Sequence, residues 1–153
     1  MNEEQRMAEV ERFKNYFAYI NRPGADKLLA WLEEVGFFTA PASTKYHGAY
    51  AGGLVEHTNN VYRRLVKLAD EEDKRLGRTY PEYTVDTIAV VALLHDVCKA
   101  QFYKESFRNV KNEQTGSWER KPFYQIEDLF PYGHGEKSVF LIERFLRLKT
   151  SDA

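Results

Sequence analysis

The chain has 153 residues, 22 basic and 23 acidic, with a formal charge of −1. That length suggests one domain and buries roughly two thirds of the unfolded surface, enough for a core without disulfides or a structural metal. The 43% hydrophobic and 14% aromatic content argues against disorder, and the near-zero charge against a protein held to nucleic acid or anionic lipid by bulk charge.

The longest apolar run in the middle of the chain, Ile88 to Leu94, has seven residues. A membrane span needs about 20, so no membrane partner is expected. The first six residues, Met-Asn-Glu-Glu-Gln-Arg, carry no apolar stretch of a secretory signal. The single cysteine, Cys98, cannot close an intrachain disulfide. A cytoplasmic protein is the expectation.

Residues 3–20 predict a helix, with Met7, Val10, Phe13, Phe17 and Ile20 spaced by three and four. Asn21-Arg22-Pro23-Gly24 stops it. Residues 25–35 predict a second helix with Leu28, Leu29, Leu32 and Val35 inward and Gly36 as its C-cap. Residues 39–49 read as irregular. A long helix begins near Gly52 or Gly53 and runs to about Leu76, striped by Leu54, Thr58, Val61, Leu65 and Leu68. Its second half, Asp70 to Arg75, is a charge run that suits a solvated helix end.

Residues 85–99 predict the next helix, capped by Thr84. Its centre is apolar all round, as in a helix at the middle of a bundle. Aromatic and β-branched residues on either side of Asn112 to Gly116 predict a two-stranded hairpin near residues 102–126. A last helix runs from about Gly135 to Leu148, with Val139, Ile142, Phe145 and Leu148 inward. The fold class is mainly α with one inserted β-hairpin. Residues 1–153 form a single domain, with N-terminal helices in 1–36 and the chemistry in 50–148.

Three segments carry polar groups where packing alone would not ask for them. His95 and Asp96 follow directly on the most apolar helix, and an ionised carboxylate there is costly unless paired or metal-bound. Lys99 lies four residues after His95 and three after Asp96, so a continuous helix brings the three together. Read alone, the segment suits a helix C-terminus equally well. His57 falls on the edge of the inward stripe of the long helix, behind Gly52 and Gly53; a buried histidine bonded to a carbonyl is the alternative. Pro131-Tyr132-Gly133-His134-Gly135-Glu136-Lys137-Ser138 precedes and opens the last helix, where His134 and Lys137 could add charge to a phosphate site or simply flank a cap.

Together, one His, a His-Asp pair and a further His on three helices can enclose a metal. Imidazole and carboxylate ligation suits Mn, Fe, Ni, Co or Zn better than Ca or Mg. His47 lies ten residues before His57 and is left outside this set, packing locally or lining the pocket. Arg108, Lys111, Arg120 and Lys121 flank the hairpin, as a lip toward a nucleotide phosphate or, more simply, a solvated surface.

His57, then His95-Asp96, then Lys99, resemble the motif order of the HD-domain superfamily of metal-dependent phosphohydrolases. The stretch from Lys45 to Thr58 is similar to the branch typified by bacterial 3′–5′ exoribonuclease-like proteins and small phage-type proteins; the segment from Gly133 to Val139 and the hairpin before it resemble the latter group. The resemblance covers most of residues 40–150. It implies an HD-type helical bundle in which His57, His95 and Asp96 hold a divalent transition metal, with Asp96 also orienting a water. Lys99 and His134 would then contact substrate phosphate, with Lys137 beside them. It implies a hydrolase acting on a phosphomonoester or phosphodiester of a nucleotide or a nucleic-acid end. The small, near-neutral chain favours a small nucleotide over a long polymer. The family pattern closes with a further Asp on a later helix. No residue is assigned to it, since Asp152 falls in a tail expected to fray. That departure keeps open an HD-like domain that binds metal or nucleotide without turnover; a further alternative is an interaction protein whose histidines are core residues. A bundle lacking a helix would also leave an apolar groove for a second subunit, so a homodimer is a possible assembly.

Overall fold

Asn2 opens the first helix. Its side chain accepts from the Gln5 N–H at 2.8 Å, and the Gln5 side chain accepts from the Asn2 N–H at 3.0 Å, a reciprocal cap. The computed structural model describes residues 1–128 and 132–153; Pro131, the first residue of the segment before the last helix, lies outside the described residues. Helix α1 spans Glu3–Phe17, α2 Ala25–Glu34, α3 Gly53–Arg75, α4 Val85–Leu94 and α5 His134–Glu143. Strands β1, Tyr103–Lys111, and β2, Trp118–Ile126, lie between α4 and α5. The fold is mainly α-helical with an inserted two-stranded antiparallel hairpin, as the sequence predicts.

The core forms where the apolar stripes meet. Phe13 sits among Phe17, Phe37 and Phe38, with ring centroids at 5.8, 5.2 and 5.3 Å. Leu28, Leu32, Leu54, Leu93 and Leu94 are buried with them. Helix α4 is buried over most of its surface and packs against α1 and α3. Three stripe positions point outward instead: Met7, Leu68 and Val139 are exposed, the last between buried Ser138 and Ile142, so α5 turns its Lys137–Ser138–Ile142 face to the core. Leu146, not singled out from sequence, is buried beside Ile142.

Three helix ends fall well short of the sequence expectation, the first being α1, which ends at Phe17 rather than residue 20. Helix α4 stops at Leu94 rather than residue 99, and a 3-10 turn, Val97–Gln101, continues the chain. The break lies at Asp96, whose backbone (φ −112°, ψ 19°) has left the helical region while its carbonyl accepts from the Lys99 N–H at 2.9 Å. Helix α5 ends at Glu143 rather than Leu148. In the hairpin, Tyr103 pairs with Ile126 and Lys111 with Trp118. The Asn112 side chain accepts from the N–H groups of Gln114 and Thr115 to close the turn. Arg108 lies over Phe123 and Arg120 over Phe107, so both arginines cover the hairpin's own rings. Among the described residues no helix is long and apolar enough to cross a membrane.

The C-terminal residues do not fray. Asp152 takes two bonds from Arg22, at 2.6 and 2.8 Å, and Arg22 also donates to Asp86 at 2.8 and 2.9 Å. The side chains of Arg22, Asp86 and Asp152 are 4%, 13% and 5% exposed. Burial alone would raise both carboxyl pKa values, but Arg22 outweighs it together with Lys149 and the Asn21 N–H at Asp86 and the Lys149 N–H at Asp152, and both stand below the ordinary value. The network ties the α1–α2 turn, the first turn of α4 and the chain end together. Removing the arginine leaves Asp152 with no cationic partner among the described residues and Asp86 with Lys149 alone, whose Nζ is 3.0 Å from Asp86 Oδ2. Arg22→Ala should therefore lose about 3–5 kcal/mol of stability in urea unfolding. Because the folded pKa values are depressed, this stabilisation is present above the unfolded Asp value, about 3.9, and is lost as pH falls through the folded values. Unfolding free energy should fall in acid, and Asp152→Asn should make that fall shallower while lowering stability at neutral pH.

Candidate metal centre

The start of α3 is set by a close backbone approach. A Cβ on Gly53 would lie 2.0 Å from the Gly48 carbonyl oxygen, so only glycine lets the loop pass there. Gly48 itself has φ +67°, a conformation that glycine adopts without strain. The Gly52 and Leu54 N–H groups donate to the carbonyls of Thr39 and Ala40 at 3.2 and 3.0 Å, fastening α3 to the preceding segment. Leu54, Val55 and Thr58 are buried, and His57 stands half-buried at the edge of this face.

His95 caps the C-terminus of α4, and Asp96 follows where the helix breaks. The His95 Nδ1 lies 2.8 Å from the Ala92 carbonyl oxygen. A carbonyl only accepts, so Nδ1 carries a hydrogen; the protonated ring donates Nε2–H to Asp96, and the neutral ring offers the Nε2 lone pair to a metal. That Nε2 is 3.3 Å from His57 Nε2 and 3.2 Å from Asp96 Oδ2; His57 Nε2 is 3.5 Å from the same oxygen. Donors sharing one ion at about 2.1 Å lie roughly 3.0–3.4 Å apart between octahedral and tetrahedral angles. The three atoms stand close to that spacing. His57, His95 and Asp96 thus form a cluster able to coordinate a divalent metal ion, and their mixed nitrogen and oxygen donors suit a transition metal.

The electrostatics prepare the same atoms. Burial pushes the Asp96 carboxyl toward neutrality, but bonds from His57, His95 and Lys99 prevail and hold its pKa far below the ordinary carboxylate range. Lys99 Nζ donates to Asp96 Oδ2 at 2.8 Å. Burial works against a charged His95, but the bond and charge of Asp96 outweigh it and raise its pKa above the ordinary value. The neighbouring Glu56 is engaged elsewhere: it accepts from the Tyr50 hydroxyl, and this bond pushes the Tyr50 pKa up to about 12.

The structure brings His57, His95, Asp96 and Lys99 together. His134 opens α5 on a neighbouring surface, its ring against Phe102 at 4.9 Å and its Nδ1 3.4 Å from Cys98 Sγ. Burial raises the Cys98 thiol pKa, which suits a packing role. Lys137 is buried and donates to Asp128 at 2.6 Å, with its ammonium 5.4 Å from the Phe102 ring centre. His47, left outside the site from sequence, stands with its ring 5.3 Å from that of His57. The one signal for it was the pair Gly48 and Gly53, five residues apart, whose contact folds the loop onto α3.

Metal binding should require each member of the cluster. Asp96→Ala and His57→Ala should each lose the metal that the wild type retains, measured as metal per chain by mass spectrometry. Because His95 has a raised pKa, protons compete for its Nε2, so metal affinity measured by calorimetry should fall as pH drops through that value.

No family model matches the chain, and no solved structure matches it significantly. It is similar to a dihydroneopterin 2′,3′-cyclic phosphate phosphodiesterase from Methanocaldococcus jannaschii, 37% identical over 102 residues. The match covers 67% of this chain and 37% of the relative, so the chain spans little more than a third of that protein's length. The cluster and the helical fold are consistent with a metal-dependent phosphohydrolase or phosphodiesterase.

Proposed function

We propose that the chain is an HD-type, metal-dependent phosphohydrolase that cleaves a phosphate ester of a small nucleotide-like molecule in the cytoplasm. The observation that carries this reading is the meeting of two imidazole Nε2 atoms and one carboxylate oxygen beside a lysine ammonium. The similarity to a cyclic-phosphate phosphodiesterase supports a phosphodiester substrate. A divalent metal held there would lower the pKa of a bound water and polarise the phosphoryl group.

The chain's own residues divide the remaining work. His57, His95 and Asp96 would hold the ion. Asp96, ionised at neutral pH, also accepts a hydrogen bond from the attacking water and so orients it. Lys99 offsets the Asp96 charge and offers its other hydrogens to a phosphoryl oxygen. His134, exposed at the start of α5, contacts the phosphate from the neighbouring surface. Lys137 enters through its pair with Asp128, which ties down the first turn of α5 that also carries His134.

A second reading, binding without turnover, draws on the three-ligand cluster among the described residues. Asp152 adds nothing to it, being bonded to Arg22. Three protein ligands are also the usual complement where metal chemistry needs an open position.

Hydrolysis assays separate the two. Chains reconstituted with Mn, Fe, Ni, Co or Zn are tested against nucleoside monophosphates and 2′,3′-cyclic nucleotides. The catalytic reading expects phosphate-ester cleavage that a chelator abolishes. It also expects Asp96→Ala to lower the rate by about a hundredfold or more, and Lys99→Ala to raise KM. Stoichiometric metal with no turnover of any ester favours binding alone.

A further inference from the structure

His47 belongs to none of the roles above, and its setting asks for one. Its ring lies 5.3 Å from His57, and His57 lies 5.4 Å from His95, so ring contacts link His47 through His57 to His95. His47 is exposed, so the core does not need it. Neither of its ring nitrogens has a hydrogen-bond partner among the described residues.

The loop that presents it is nevertheless closely tied down. Ser43 Oγ donates to the His47 carbonyl at 2.9 Å and accepts from the Tyr46 N–H at 3.0 Å. The Ala42 N–H donates to the Gly48 carbonyl at 2.8 Å, and Tyr103 Oη donates to the Ala42 carbonyl at 3.1 Å. The Gly48–Gly53 contact then presses the loop onto α3. Ordering an exposed loop costs about 1–2 kcal/mol per residue in backbone entropy, and here the order places an imidazole with two unused nitrogens beside a metal-competent cluster.

His47 is not grouped with the three donor atoms that lie within 4.8 Å of one another. Its position suits a ligand of the substrate rather than of the metal. Lys99 stands at the other end of the chain of contacts, bonded to Asp96, which in turn meets His57. Two side chains able to donate therefore adjoin the cluster, His47 beside His57 and Lys99 beside Asp96, and a phosphoryl group has more than one non-bridging oxygen to take them.

We propose that His47 is a substrate-binding residue that donates a hydrogen bond to a non-bridging phosphoryl oxygen of a phosphate ester held at the cluster. The inference rests on the phosphohydrolase reading and assigns the binding of its phosphate.

The test uses the whole chain, zinc-loaded, with inorganic phosphate as probe and bis-p-nitrophenyl phosphate as substrate. His47→Ala should keep the wild-type zinc content, because His47 is not a ligand. Its phosphate affinity by calorimetry should fall by about tenfold, the worth of one hydrogen bond to a charged group. KM should rise more than kcat falls, and His47→Gln, which retains a donor, should recover part of the loss. In wild-type protein the His47 ring resonances should shift as phosphate is added. Loss of zinc in His47→Ala overturns the proposal by making His47 a metal ligand, and unchanged phosphate affinity overturns it outright. Phosphate binding that needs His47 without cleavage of any ester upholds the inference and removes the catalytic reading. Cleavage equally fast with and without His47, at unchanged phosphate affinity, does the reverse.

Discussion

The carboxylate of Asp96 is the constraint on which the rest depends. It stands at the end of the most apolar helix of the chain, 8% exposed. An ionised carboxylate in such a place costs several kcal/mol unless other groups compensate it. Here the compensation comes from His57, His95 and Lys99, three groups that reach one oxygen. One lies on α3, one closes α4, and one lies on the 3-10 turn that follows. Satisfying Asp96 therefore fixes how α3 meets the end of α4. The same convergence that neutralises the carboxylate leaves two imidazole nitrogens beside it, which is what a transition metal asks of its ligands.

The packing behind the cluster serves that arrangement. Helix α4 can end in the site because α1 and α3 cover its sides. Helix α3 can begin there because Gly48 and Gly53 let the preceding loop close on its first turn. At the far end of α4, Arg22 gathers Asp86 and Asp152 into a second buried ionic centre. One centre positions the end of α4 and the other its start, so the helix is held by polar contacts at both ends and by apolar contacts between.

Much of this was legible in the sequence. Helical spacing located the five helices, and aromatic and β-branched residues around Gly116 located the hairpin. The cluster was legible too, since a His-Asp pair after a run of seven apolar residues is a local feature. The rest depended on contacts that spacing does not encode. The end of α4 at Leu94 comes from the backbone turn at Asp96, not from a proline or glycine. Asp152 reads as a tail residue until Arg22, 130 positions away, is seen to bond it. Lys137 reads as a free cation at a helix start until Asp128 is found against it. His47 reads as a loop residue because the backbone contact that carries it to His57 joins two glycines, which leave no mark in a hydrophobic pattern.

The most direct test of the account is a crystal of the chain grown with one equivalent of zinc, with diffraction recorded at the zinc edge. A single anomalous peak is expected within bonding distance of His57 Nε2, His95 Nε2 and Asp96 Oδ2, absent in Asp96→Ala crystals. A peak bonded to other residues, or none at this cluster while the protein retains zinc, would contradict it.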